Sequence, residues 1–129
     1  MHKFNVRTSA RNELIDITQK VTSRVNESGV ESGICTVYCP HTTGAITINE
    51  SADPSVASDI TKKLRSMIPK NENYRHAEGN SDAHIKSSLV GNTVQVIIEN
   101  GALQLGTWQG IFFCEFDGPR SRNVWVNIQ

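Results

Sequence analysis

The sequence predicts a single α+β domain, a mostly antiparallel sheet packed with a few helices. Three observations predict it. Several short segments alternate apolar and polar residues at the period of a half-buried strand. Two segments between them, after Thr18 and after Asp53, repeat apolar residues at helical spacing instead. The last third of the chain reads as strand after strand, with Asn100-Gly101 as its strongest hairpin signal. At 129 residues the chain fits one domain, covering 1–129, with enough length for a real core.

The elements follow in order. Residues 4–8 alternate and form a first strand, and Leu14 and Ile15 belong to a second, short one. Thr18 is the expected N-cap of a helix whose Val21 and Val25 share a face and which Gly29 ends. Residues 33–39 are rich in β-branched and aromatic side chains, as strands are. Pro40 and Gly44 bracket a loop, and residues 45–50 form a half-buried strand with Ile46, Ile48 and Glu50 on one side. Asp53 as N-cap and Pro54 as first helical residue open a second helix, whose Val56, Ile60, Leu64 and Met67 make one stripe. Pro69 closes it. Residues 70–81 are a polar connection about as long as structureless loops become without a functional reason. Asp82 is expected to cap a short helix running through Ile85 and Leu89 to Gly91. A β-meander ends the chain: 93–99, a return strand with Leu103 and Leu105, 107–116 with Gly106 and Gly110 at bulge positions, then 123–128.

Composition narrows the function. Lys plus Arg equals Asp plus Glu at 13 each and the sequence pI is 6.9, so there is no electrostatic footprint of a general nucleic-acid binder. Aromatic residues, 6%, are few for a protein that stacks bases. Zero formal charge removes one safeguard against self-association and favours an oligomer. No apolar run approaches the ~20 residues that span a bilayer. The first six residues lack the apolar stretch of a signal peptide, so the expected location is the cytoplasm. Cys35, Cys39 and Cys114 are odd in number. Cys35 and Cys39, four apart on a strand, would lie ~13 Å from one another, too far for a disulfide. Buried free thiols are expected.

Three of the four histidines sit in polar, turn-rich segments beside carboxylates: His41, His76 and His84. Imidazole titrates near neutral pH and is the commonest metal ligand. The trio is therefore a candidate metal site with an open position, or a set of acid–base and phosphate-binding groups, or plain hydrogen-bonding surface. His2 is read as inert. Glu50, on the apolar side of its strand, is a candidate base or support for a histidine, whereas Asp53 is explained by its cap. Asp82 is open to both roles. Thr42, Thr43, Asn80 and Ser81 offer hydroxyls, amides and a helix start, which are the parts of an anion site. Arg120 either binds phosphate or pairs with Asp117 or Glu115 to fix its turn. Trp108 is either a core residue or a ring platform for a substrate.

Four segments together resemble the YjbQ-like family. They are residues 39–50 (CPHTTGAITINE), 76–84 (HAEGNSDAH), 105–110 (LGTWQG) and 115–120 (EFDGPR). The resemblance covers nearly the whole chain in the expected order. It implies an α+β domain assembled as a homotrimer with sites near subunit boundaries. It also implies a secondary thiamine-phosphate synthase of low activity, joining hydroxymethylpyrimidine diphosphate to a thiazole phosphate with release of pyrophosphate. Carried over, the family's motif positions fall on His41, Glu50, His76, Asp82, His84 and Arg120. Gly44, where alanine is common, and Ser55, where an acid is common, lie outside them. Displacing pyrophosphate needs charge stabilisation, for which Arg120, Lys86 and a divalent ion are the candidates. A histidine-rich site suits Zn²⁺ or Ni²⁺ better than Mg²⁺. The alternatives are a metal-dependent hydrolase of a small phosphorylated or acyl metabolite and a non-catalytic binding protein.

Overall fold

Eight strands form two antiparallel sheets in the computed structural model, which describes residues 1–129. The larger sheet has the order β1 (His2–Arg7), β8 (Ser121–Ile128), β3 (Gly33–Tyr38), β5 (Thr93–Glu99), β6 (Ala102–Leu103). The smaller has the order β2 (Glu13–Asp16), β7 (Gln109–Glu115), β4 (Gly44–Glu50). The expected meander holds only for the β5–β6 hairpin, whose Asn100 and Gly101 both take positive φ, 52° and 74°. β7 then crosses to the second sheet, and β8 returns to lie between β1 and β3. Burial accounts for the crossing: six of the seven β7 residues are buried, so this strand needs a layer on each face.

The layers follow from alternation. Cys35, Val37, Val96, Ile98, Val124 and Val126 point inward from the larger sheet to meet Ile46, Ile111 and Phe113 of the smaller. Each such fully buried side chain contributes roughly 1.5–3 kcal/mol. Helix α1 (Thr18–Ser28) adds Val21 and Val25 to this core and contacts strands of both sheets. Its start differs from the expected Thr18 cap. Asp16 Oδ1 accepts from the Thr18 N–H at 2.9 Å and its hydroxyl at 2.6 Å, and Thr18 Oγ1 accepts from the Ile111 N–H. Gly29 closes the helix with φ 67°, as expected.

Helices α2 (Pro54–Met67) and α3 (Ser81–Val90) pack on the other side of the smaller sheet, around Ala45, Ala83, Cys114 and Phe116. Asp53 caps α2 as expected, accepting from the Ser55 N–H at 2.9 Å. The α2 stripe is only half-buried, and Met67 is exposed. Helix α3 departs further from expectation. Ile85 and Leu89 face solvent, while its buried residues are Asp82, Ala83, Lys86 and Ser87. The cap is at Asn80, and Asp82 is not a cap at all.

Candidate functional site

Helix α3 is a polar wall with cavities on two faces. Asp82 and Lys86, four apart, share one face, while His84, Ser87 and Ser88 share another. The first face borders a cleft of about 870 Å³ closed on the far side by Lys62, Arg65 and Lys70. On its floor Arg11 grips Asp82 bidentately, at 2.9 and 3.0 Å, and Lys86 Nζ donates to Asp82 at 2.9 Å and to Asn12 at 3.1 Å. Burial pushes the Asp82 carboxyl up, but these two cations outweigh it and hold it down at about 2.

The second face borders a wholly polar pocket of about 480 Å³, lined by His41, Thr42, Gly44, His84 and Ser87 among others. Ser87 Oγ is buried there without a hydrogen-bond partner. The His84 ring also meets His76 edge-on at 5.5 Å between centroids, and both line a third cavity with Tyr74 and Ser81. His76 lies 3.7 Å from Glu78.

His41 is held by backbone. β3 stops pairing with β8 at Tyr38–Trp125, and beyond that point the Asn123 N–H donates to His41 Nε2 at 2.9 Å. A nitrogen that accepts from an N–H carries no proton, so this contact fixes the tautomer with the proton on Nδ1. The ring stands edge-on to Phe113. Burial first, and then the charges of Arg122 and Arg120, hold His41 below its ordinary value, so it is neutral at pH 7.

Behind His41 lies a buried ion pair. Arg122 shares the inward face of β8 with Val124 and Val126, and Glu115 ends β7. Arg122 Nε donates to Glu115 Oε1 at 2.9 Å and its Nη2 to Oε2, and both residues are almost fully buried. The remaining capacity is filled. Arg122 donates to the Thr43 hydroxyl and carbonyl, and Glu115 accepts from the Thr8 hydroxyl and the Asp117 N–H. Burial pushes the Glu115 carboxyl up, but its bonds from Arg122, Asp117 and Thr8 pull it below the usual range.

A family model described as UPF0047 protein YjbQ-like matches residues 2–129. The chain belongs to the YjbQ/UPF0047 family. It is 57% identical to the UPF0047 protein MJ1081 of Methanocaldococcus jannaschii, over 99% of this chain and 93% of that one. Identity with YugU of Bacillus subtilis is 52%, over 97% and 96%. A crystal structure of an uncharacterized YjbQ/UPF0047 protein from Clostridium acetobutylicum superposes with a TM-score of 0.99 at 55% identity, covering 100% of both chains. That of TT1486 from Thermus thermophilus does so with 0.93 at 39%, also covering 100% of both.

Within this YjbQ-like domain the expected site residues divide. His41, Thr42 and His84 meet in one pocket, and His76 reaches only the neighbouring cavity beside His84. The expected three-histidine metal centre is not assembled within the chain: no group of three or more His, Cys, Asp or Glu is arranged to hold an ion. The contact from Asn123 also removes His41 Nε2 from ligation. Zn²⁺ or Ni²⁺ would find only His76 and His84 side by side.

Glu50, expected as a base or as support for a histidine, hydrogen-bonds none of the three. It sits at the other end of β4, about 20 Å from Gly44 at the usual rise, and accepts from the Ala52 N–H at 2.9 Å. Thr43 is buried, its hydroxyl accepts from Arg122, and it does not line the pocket of His41. Arg120 takes its structural alternative: Nε donates to the Asp117 carbonyl at 2.9 Å and Nη2 to its carboxylate at 3.1 Å. Asn80 Nδ2 donates to the same carboxylate, tying the start of α3 to this turn. Trp108 is exposed near Glu50, against its reading as core. Arg122, Arg11, Lys62, Arg65 and Lys70 are not among the residues the sequence singles out, and Glu115 pairs with Arg122 instead of the expected Arg120. The one signal in the sequence is an arginine, Arg122, in phase with Val124 and Val126.

Proposed function

We propose that this YjbQ-like protein is an enzyme acting on small phosphorylated metabolites. In its finer form it is a thiamine-phosphate synthase-type transferase of low activity, joining hydroxymethylpyrimidine diphosphate to a thiazole phosphate. The observation that carries the reading is helix α3 as a polar wall, with buried Asp82 and Lys86 on a basic cleft and His84 facing the pocket of His41. In this reaction the thiazole nitrogen bonds the pyrimidine methylene as the bond to the diphosphate oxygen breaks, and negative charge collects on that oxygen. Cations already fixed in place stabilise such charge without reorganising. Neutral His41, with Nε2 occupied, has Nδ1–H left to donate to a substrate acceptor. No step is assigned to a metal, because the ligand set does not close on one.

The test is turnover with the two substrates separately and together. Pyrophosphate released only with both supports the transferase. His41→Ala and His84→Ala are each expected to lower kcat about 10²-fold or more. Protonation of His41 itself should affect activity only below the ordinary histidine value, since burial and Arg122 hold it lower. Consumption of one substrate with water alone would replace this reading by a hydrolase. A ligand that raises Tm without turnover would replace it by a binding protein.

The proposed assembly is a homotrimer in the cytoplasm. The outer face of the larger sheet, where exposed Ile34 pairs across from Ile97 (60% exposed) and Tyr38 from Trp125, supports burial against further copies. The three free, buried thiols fit a reducing compartment. Ile97→Lys is expected to yield monomers by light scattering, and an unchanged mass would place the interface elsewhere.

A further inference from the structure

The basic cleft collects charge that the rest of the fold does not explain. Of the 13 lysines and arginines in a chain with no net charge, five line this one cleft, against a single carboxylate, Asp82. Arg11 and Lys86 share that carboxylate on the floor. Lys86 is 1% exposed, so the floor is a built, rigid part of the core. Lys62, Arg65 and Lys70 on the rim have neither an ion-pair nor a hydrogen-bond partner. Like charges gathered this way repel one another and weaken the fold.

A solvated helix face is the plain alternative, and it accounts for part of the set. Arg65 lies in the last turn of α2, where a cation offsets the helix dipole. That leaves Lys62, a turn earlier on the same face, and Lys70, which lies beyond the helix. Lys63, the exposed neighbour of Lys62, does not line the cleft, so the charge is directed to one face of α2.

We propose that this cleft binds the diphosphate group of a small metabolite, with Lys62, Arg65 and Lys70 contacting it over the Arg11–Asp82–Lys86 floor. The volume, about 870 Å³, exceeds what one phosphate fills and lies within the range of metabolite sites. No aromatic residue lines the cleft, so recognition rests on charge and hydrogen bonds and not on stacking a base. Two phosphates also match three separate rim cations better than one does. The guanidinium of Arg65 can take a phosphate bidentately, with the lysines as point charges around it. The link of this subsite to turnover rests on the transferase reading above, in which a diphosphate is the leaving group, whereas its binding of diphosphate does not.

The experiment is calorimetric titration of the full chain at low ionic strength with inorganic pyrophosphate, phosphate and sulfate. Pyrophosphate is expected to bind at least about tenfold more tightly than the other two. Lys62→Gln and Arg65→Gln are each expected to weaken it about tenfold, the worth of one charge-assisted contact. Both residues are exposed, so neither change threatens the fold. Lys63→Gln on the same helix should leave the affinity unchanged. No binding, equal affinity for pyrophosphate and sulfate, or an equal loss from Lys63→Gln would overturn the proposal. Binding with these dependences but no transfer would keep the subsite and remove the transferase. Transfer unaffected by Lys62→Gln and Arg65→Gln would overturn the link of this subsite to turnover and leave the transferase standing.

Discussion

Arg122→Met is expected to destabilise the protein by about 3–5 kcal/mol, the cost of leaving one member of a buried ion pair without the other. The partner left behind is Glu115, fully buried, with two bonds from the arginine and one each from Thr8 and the Asp117 N–H. Thr43 loses its partner as well, and the contact that anchors the 41–44 loop to β8 weakens. In a chain of this length the loss corresponds to a fall in Tm of roughly 11–18 °C, read at fixed protein concentration because association adds to stability. The double change Glu115→Gln with Arg122→Met is expected to cost less than Arg122→Met alone, since an amide is cheaper to bury than a carboxylate. Equal costs for the two would show that the pair acts through packing and not charge. The pH dependence has a definite sign. The folded Glu115 value lies below the unfolded one, so the stabilisation is present above about pH 4.3. It is lost as the pH falls through the folded value.

Asp82→Asn is expected to cost about 3 kcal/mol or more, for a different reason. The amide keeps the shape but leaves Arg11 and Lys86, both bound to Asp82 in the wild type, as like charges around a neutral group. Lys86 is 1% exposed and cannot turn to water. Urea denaturation of Asp82→Asn, Lys86→Met and the double variant measures this directly. The double variant should recover part of the loss, because removing the buried ammonium removes the unpaired charge. A single-variant cost below about 1 kcal/mol, the level of a surface pair, would show that solvent reaches this floor. In the wild type the contribution is complete above about pH 4. It is lost as the pH falls to the folded value of about 2.

Much of the fold was legible because local chemistry decides it. Asp53-Pro54 sets the start of α2, Gly29 the end of α1 and Asn100-Gly101 the β5–β6 turn, each through its own backbone preference. The misreadings share one cause. Alternation tells which residues of a strand share a face, but not which sheet the strand joins, so it predicts a meander that β7 leaves. Ile85 and Leu89 mark helix α3 in the sequence, yet it buries Asp82 and Lys86, because Arg11 and Asn12 from the loop before β2 meet them there.

The candidate site divides in the same way. The sequence by itself determined the family and the α+β class. These follow from residue type and short-range spacing. Only the tertiary structure decided that Asn123 occupies the His41 Nε2. It alone brought Arg11, Lys62, Arg65, Lys70 and Lys86 to one cleft. Charges from separate segments are balanced along the chain and become a field only when folding sets them side by side, at distances that sequence separation does not encode.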